Sequence, residues 1–397
     1  MRKENTMKKI SALIVLISIG ALVYGNENAA MWTRLYNRLD TIEYKLTIMR
    51  SIAEQEGREL IPVILQSLTE TNSARSSISE ITEKRIYNQL QKTSIKKLGE
   101  LKALEAEEEI YNALVNSEDL IIKGEAITAL GRVGSTKYIA ELNLMLRNIN
   151  MRLYSNKNAR ENETLAYALV TAFEKLQSEE TYESVFYASS GWYSPLSGVR
   201  ERAKEALKII ASDPSEILAG IMKKDSDFKN KYLALEAENN SSAPDEKKGV
   251  FASAALDEGI TNKPGNIIEQ TDLSNIRLLA CSMIASSSVK PPEAVPYLKE
   301  MIFSNYDINE KLTAISTLGT YKSDEAVAAL SSFLRDQNNR KSAGMTQTID
   351  RRAVIAVINA LGNTENRAAL EEIMVVNTID WSTAVLKAAQ GAAEKLK

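Results

Sequence analysis

Along this chain, apolar residues recur three and four positions apart in short runs, and a break of a few polar residues separates the runs into pairs. Ile127 to Leu146 reads ITALGRVGSTKYIAELNLML, and 188 residues later Ile315 to Leu334 reads ISTLGTYKSDEAVAALSSFL. Superposing the two puts Ala126 on Ala314, Ile127 on Ile315, Leu130 on Leu318 and Gly131 on Gly319. Beyond the break, Ile139 falls on Val327, Leu142 on Leu330 and Leu146 on Leu334. Spacings of three and four are the mark of one buried helix face, so each segment predicts two amphipathic helices joined by a turn.

The apolar position before the glycine serves as an anchor for finding further units. Equivalent anchors stand at Ile52, Leu98, Leu130, Phe173, Leu207, Ile284, Leu318 and Leu361, at intervals of 32 to 46 residues except for one of 77. That longer interval has room for a degenerate unit centred on Leu235. Self-similarity at such periods predicts an all-α solenoid of about eight or nine stacked helical hairpins, because one hairpin cannot bury its apolar face alone. Ser135 and Ser323 are placed to cap second helices. Asp213-Pro214-Ser215-Glu216 supplies a cap, a proline at the first helical position and an acid in the first turn.

The pattern in GEAITALGRVGSTKYIAELNLML resembles a bacterial HEAT repeat, an armadillo-type unit of the short kind also found in phycobilisome-lyase-like proteins. The resemblance is strongest around Leu130, Leu318 and Leu361 and spans roughly residues 40–397. It implies a right-handed superhelical solenoid, HEAT-like in its stacking. Most turns lack the usual Asp-Pro, and the period varies. The segment FYASSGWYSPLSGVRERAKEAL also resembles part of exported HEAT-like bacterial proteins, and the repeat type brings a chromophore-lyase-like activity into consideration.

Polar insertions interrupt the repeats at Thr69–Ser79, Asn148–Asn162 and Gln337–Thr348. Each follows a second helix and precedes a first one, so the three are expected on one edge. The second insertion carries Arg152, Lys157 and Arg160, with no acid between Leu142 and Arg160, and the third carries Arg340 and Lys341. Such a basic edge is a candidate partner-binding surface. Alternatively, these are ordinary solvated loops. Trp192 and Tyr193, in SSGWYSPLSG, are candidate interface anchors or a cover for the end of a neighbouring helix pair. Residues 225–272 form the longest irregular stretch, with two expected helices, Phe228–Glu238 and Lys247–Gly259. They read as a degenerate repeat or as a linker between N-terminal repeats (26–224) and C-terminal repeats (273–397).

The first 25 residues change the compartment expected for the protein. Basic Arg2, Lys3, Lys8 and Lys9 precede an uncharged apolar run from Ile10 to Gly25, the layout of a secretory signal peptide cleaved after Gly25. An uncleaved inner-membrane anchor is the alternative, since the run approaches the length of a spanning helix. The single cysteine, Cys281, is too far away to carry a lipid there, and its helical spacing marks it as a core thiol. Export, in bacteria to the periplasm, is the expectation. Loss of residues 1–25 removes four basic residues and one acid, taking the net charge from −3 to −6. An acidic balance gives no general attraction to nucleic acid.

Composition narrows the chemistry further. The chain has no histidine and one cysteine, which excludes histidine-dependent nucleophile systems, histidine metal sites and thiolate zinc sites. No phosphate-cradling glycine loop or calcium loop occurs, and the acidic run Glu105–Glu109 reads as a helix start. The sequence therefore predicts no cofactor, no metal and no catalytic residues, and a non-enzymatic scaffold that binds proteins of the cell envelope through repeat helices and loops. An anionic-polymer or cell-wall binding module using the basic edge is the first alternative, and a carboxylate-based or lyase-like enzyme the second. Partner identity and oligomeric state are not encoded in any motif found.

Overall fold

Twenty α-helices form among the described residues, and no strand does. A computed structural model describes residues 25–74, 78, 80–152 and 158–397. The expected signal peptide therefore lies, but for Gly25, outside the described residues. No described helix is long and apolar enough to cross a membrane. The chain divides into two compact units, Met1–Ala211 and Ser212–Lys397.

The first unit holds α1 (Gly25–Asn37), α2 (Ile42–Ala53), α3 (Ile61–Ala74), α4 (Ile81–Glu100), α5 (Glu107–Asn116), α6 (Leu120–Val133), α7 (Ile139–Asn150), α8 (Ala159–Leu176), α9 (Tyr182–Ser190) and α10 (Val199–Ile210). Helices α2, α4, α6, α8 and α10 pack side by side in chain order, while α3 packs on α5 and α7 on α9. The second unit holds α11 (Ser215–Lys224), α12 (Phe228–Asn240), α13 (Asp245–Thr261), α14 (Ile267–Ser286), α15 (Ala294–Phe303), α16 (Ile308–Leu318), α17 (Asp324–Ser342), α18 (Arg351–Asn363), α19 (Leu370–Val376) and α20 (Thr383–Leu396). Here α12, α14, α16, α18 and α20 form one layer, and α11, α13, α15, α17 and α19 the other.

Every anchor read from the sequence, with Leu235 among them, is buried. The glycine after the anchor has a packing reason. A Cβ on Gly131 would stand 2.6 Å from Cα of Ala172 on α8, one on Gly319 2.8 Å from Cβ of Ala360 on α18, and one on Gly362 2.9 Å from Cα of Ala392 on α20. Gly99 against Ala129 is the same contact at 3.1 Å. The Leu-Gly step thus buries one side chain and omits the next, so that successive first-layer helices approach backbone to backbone. The tightest sequential pairings join each second helix to the first helix of the following unit, as α3 with α4 or α13 with α14. Each hairpin is completed by its neighbour.

Residues 225–272 are mostly helical and belong to the second unit, where α12 packs on α11 and α14, and α13 on α11 and α15. Their weak periodicity has a cause. Helix α13 buries Gly249, Ala252, Ser253, Ala255 and Gly259 beside Phe251 and Leu256, and α12 buries Lys231 and Glu238. The insertions are shorter than their polar composition indicates. Residues 69–74 belong to α3, 148–150 to α7 and 337–342 to α17. Gln337 and Asn338 are buried, and Asn338 accepts a hydrogen bond from Trp381 Nε1 at 2.9 Å. Ser323 caps α17 as expected, its Oγ accepting from Ala326 N at 3.3 Å. Ser135 does not cap α7; it is buried and donates to Glu107 Oε2 at 2.7 Å.

Candidate functional site

The residues singled out by sequence are divided between the two units, with Arg152, Arg160, Trp192 and Tyr193 in the first and Arg340 and Lys341 in the second. Tyr193 is 1% exposed and donates to Asn150 Oδ1 at 2.5 Å, while Trp192 Nε1 donates to the Ile149 carbonyl at 3.1 Å. The two rings stack on each other with centroids 4.6 Å apart, and burial pushes the Tyr193 phenol above its usual pKa. They therefore lock the α9–α10 connection onto the end of α7, and Tyr193 is out of a partner's reach. Arg152 is exposed and donates to Asn162 Oδ1 at 3.0 Å, and Arg160 is exposed in the first turn of α8. Lys157 lies outside the described residues. Arg340 and Lys341 sit on the last turn of α17, not in a loop. Arg340 pairs with Asp336 at 2.8 Å, and Lys341 Nζ lies 5.9 Å from the Trp381 ring centroid. The basic charges of the third insertion are thus already engaged within the second unit.

A better-formed site lies between α11 and α13. These helices wall a groove of 750 Å³, within the size range of functional clefts. Met222 and Phe251 are its buried floor, and Ala219, Val250 and Ala254 are exposed along it. Val250 is 57% exposed, although it stands mid-helix among buried neighbours. Four carboxylates (Glu216, Glu246, Asp257, Glu258) and two lysines (Lys223, Lys247) border this apolar strip. On α13 the lining residues Glu246, Val250, Ala254 and Asp257 follow at intervals of four, four and three, which puts them on one helix face.

Ion pairs stand near both ends of the groove. Lys247 Nζ reaches back to Asp213 Oδ2 at 2.6 Å, tying the start of α13 to the entry of α11. Towards the other end, buried Lys231 of α12 pairs with Glu258, whose Oε2 also accepts from Asn262 Nδ2 at 3.0 Å.

Ser215 joins two carboxyl groups at the first end. Ser215 Oγ lies 2.6 Å from Asp213 Oδ1 and 2.7 Å from Glu238 Oε1, but a hydroxyl has one proton to donate. Lys247 and Ser215 hold the Asp213 carboxyl below its usual pKa, whereas burial raises that of Glu238, which is fully buried. Ser215 Oγ thus stands between the two carboxyl groups and can donate its one proton to either of them, not to both at once. Glu238 Oε2 has no hydrogen-bond partner among the described residues, which a neutral carboxyl tolerates far better than a carboxylate.

Cys281 is buried, its pKa pushed up to about 12 by desolvation. The acidic run at the start of α5 is engaged across neighbouring helices, with Glu107 bonded to Ser135, Glu108 paired with Lys137 and Glu109 bonded to Asn72. Among the described residues no group of three or more Cys, Asp or Glu is placed to hold a metal ion. The groove residues escaped the sequence reading because they fall in and beside the stretch of weakest periodicity. The signal present there was the spacing of Glu246, Val250, Ala254 and Asp257.

No family model matches the chain, and no curated protein does. Among solved structures, the crystal structure of an engineered protein from the Northeast Structural Genomics Consortium aligns with it at 17% identity, covering 92% of this chain and 98% of that one with a TM-score of 0.35. A likeness of that degree assigns neither fold nor function.

Proposed function

We propose that this chain is an exported, HEAT-like solenoid of the armadillo type that serves the bacterial cell envelope as a non-enzymatic protein-binding scaffold. The observation that carries this reading is the α11–α13 groove, an apolar strip bordered by charge, in a unit built from layered helices. The layering by which every hairpin is completed by its neighbour supports right-handed superhelical stacking of HEAT-like hairpins. Binding through a preformed cleft needs no cofactor, and the lack of histidine accords with that. Pairing of Arg340 with Asp336 weakens the competing idea of an anionic-polymer module built on a basic edge.

The test is crosslinking in cells followed by affinity capture from the envelope fraction, with mass spectrometry of the captured proteins and of the bait's own N-terminus. A stoichiometric protein partner, on a bait beginning at Asn26, is the expected result. Recovery of cell-wall fragments alone, or of the bait alone, overturns the scaffold reading. A bait retaining residues 1–25 overturns cleavage and favours an anchored form.

A further inference from the structure

We infer that the α11–α13 groove takes a short amphipathic helix whose apolar stripe is flanked by lysine or arginine. This rests on the scaffold reading and names the chemistry of the partner segment. Both walls of the groove are helices, whose backbone groups are satisfied internally, and the described residues contain no strand. An extended peptide would find no edge to pair with and would carry its own backbone N–H and C=O groups unsatisfied over Met222 and Phe251. A helix satisfies these groups itself and can lay an i, i+3, i+4, i+7 stripe along Ala219, Val250 and Ala254. The shorter wall, α11, has 10 residues, so the groove runs about 15 Å and matches roughly three turns of a bound helix.

Charge selects the sign of the flanks. Four carboxylates border the groove against two lysines, and one of these, Lys247, is already held by Asp213. The border is left net negative around Glu216, Glu246 and Asp257, which repels an acidic helix and steers a basic one. The groove is formed without a ligand, with Lys247 already tied to Asp213 at the entry of α11, so little ordering of the protein is needed on binding.

The experiment uses the full chain and two synthetic 12-residue peptides with identical leucine positions, one flanked by lysines and one by glutamates, followed by fluorescence anisotropy at several salt concentrations. The lysine peptide is expected to bind roughly tenfold or more tightly than the glutamate peptide, with affinity falling as salt rises. Ala254→Arg and Ala219→Arg, both at exposed positions, are expected to weaken it by a similar factor while circular dichroism stays unchanged. Equal binding of the two peptides, binding of neither, or affinity unchanged by both substitutions overturns the inference. Self-association of the wild type that Ala254→Arg abolishes also overturns it, assigning the groove to a second copy. Envelope capture with Ala254→Arg separates the two levels. A partner retained by this variant leaves the scaffold reading standing without the groove, whereas no partner on either bait removes the scaffold reading itself.

Discussion

Glu238 shows at the scale of one residue how a buried acid can be tolerated. Its folded pKa is raised above the ordinary value of 4.5 by burial, with Ser215 opposing the shift and Asp213 adding to it. The native state therefore binds a proton more tightly than the unfolded chain, and its contribution to stability is largest below pH 4.5. That contribution falls as pH rises from 4.5 to the folded pKa and is constant above it. Glu238→Gln keeps the shape and a donor towards Ser215 without an ionisable proton. Denaturant unfolding from pH 4 to 8 should show the variant gaining stability relative to the wild type across that window, and a constant difference would refute a raised pKa. Two further residues separate packing from propensity. Gly131→Ala drives a Cβ against the Ala172 backbone and should cost about 1–3 kcal/mol. Gly124→Ala, in the same helix with nothing within 4 Å, should stabilise by roughly 0.5–1 kcal/mol. Urea denaturation of both variants checks the signs.

Between elements, the contacts that fix helix against helix are a mixture of apolar layers and a few buried polar joints. Arg277 of α14 is the main joint of the second unit. Its Nη1 donates to the Gly259 carbonyl of α13 at 2.7 Å, its Nε and Nη2 lie 2.9 and 2.7 Å from Glu310 Oε1 of α16, and its guanidinium lies 4.3 Å from the Tyr306 ring centroid. Glu310 Oε2 also accepts from Asp307 N at 3.1 Å, closing the capping box of α16. Arg277→Ala would leave the buried Glu310 carboxylate without its counter-charge and the Gly259 carbonyl without this donor, at a cost of about 3–5 kcal/mol. Replacing both members by methionine should restore much of that loss, although the cap on α16 goes with Glu310. Calorimetry of the single and double variants tests the claim, and a double variant as unstable as the single one would defeat it.

Sequence periodicity found the helices of α6, α7, α16 and α17 because their buried faces are made of large aliphatic residues. It expected helices at Phe228–Glu238 and Lys247–Gly259, close to α12 and α13, but read the stretch around them as irregular and extended the insertions into α3, α7, α8 and α17, for one physical reason. Where helices meet through glycine, alanine, serine or a paired charge, burial no longer correlates with hydropathy. Asn338 and Lys231 look like surface residues in sequence and are buried in the fold. The groove is hidden in the same way, since its floor comes from helices that the repeat pattern barely marks.

For the whole molecule, the two units are built on the same plan of alternating layers, and the repeat of Leu-Gly along the first layer gives both their spacing. The proposed export predicts that residues 1–25, with their basic start and apolar run, are removed, so that the mature chain in the envelope fraction begins at Asn26.

By itself, the sequence determined that the chain is all-helical, where its anchors are buried, and that histidine-based and thiolate-cluster chemistry are absent. These are properties of local spacing and of composition, which need no knowledge of what faces what. Only the tertiary structure decided that Tyr193 is sealed beneath Asn150, that Arg340 pairs with Asp336, and that Ser215 and the faces of α11 and α13 converge on a groove. Convergence depends on which helix lies beside which. That is set by backbone approach at Gly131, Gly319 and Gly362 and by buried joints such as Arg277 with Glu310, whose partners stand 30 residues or more apart in the chain.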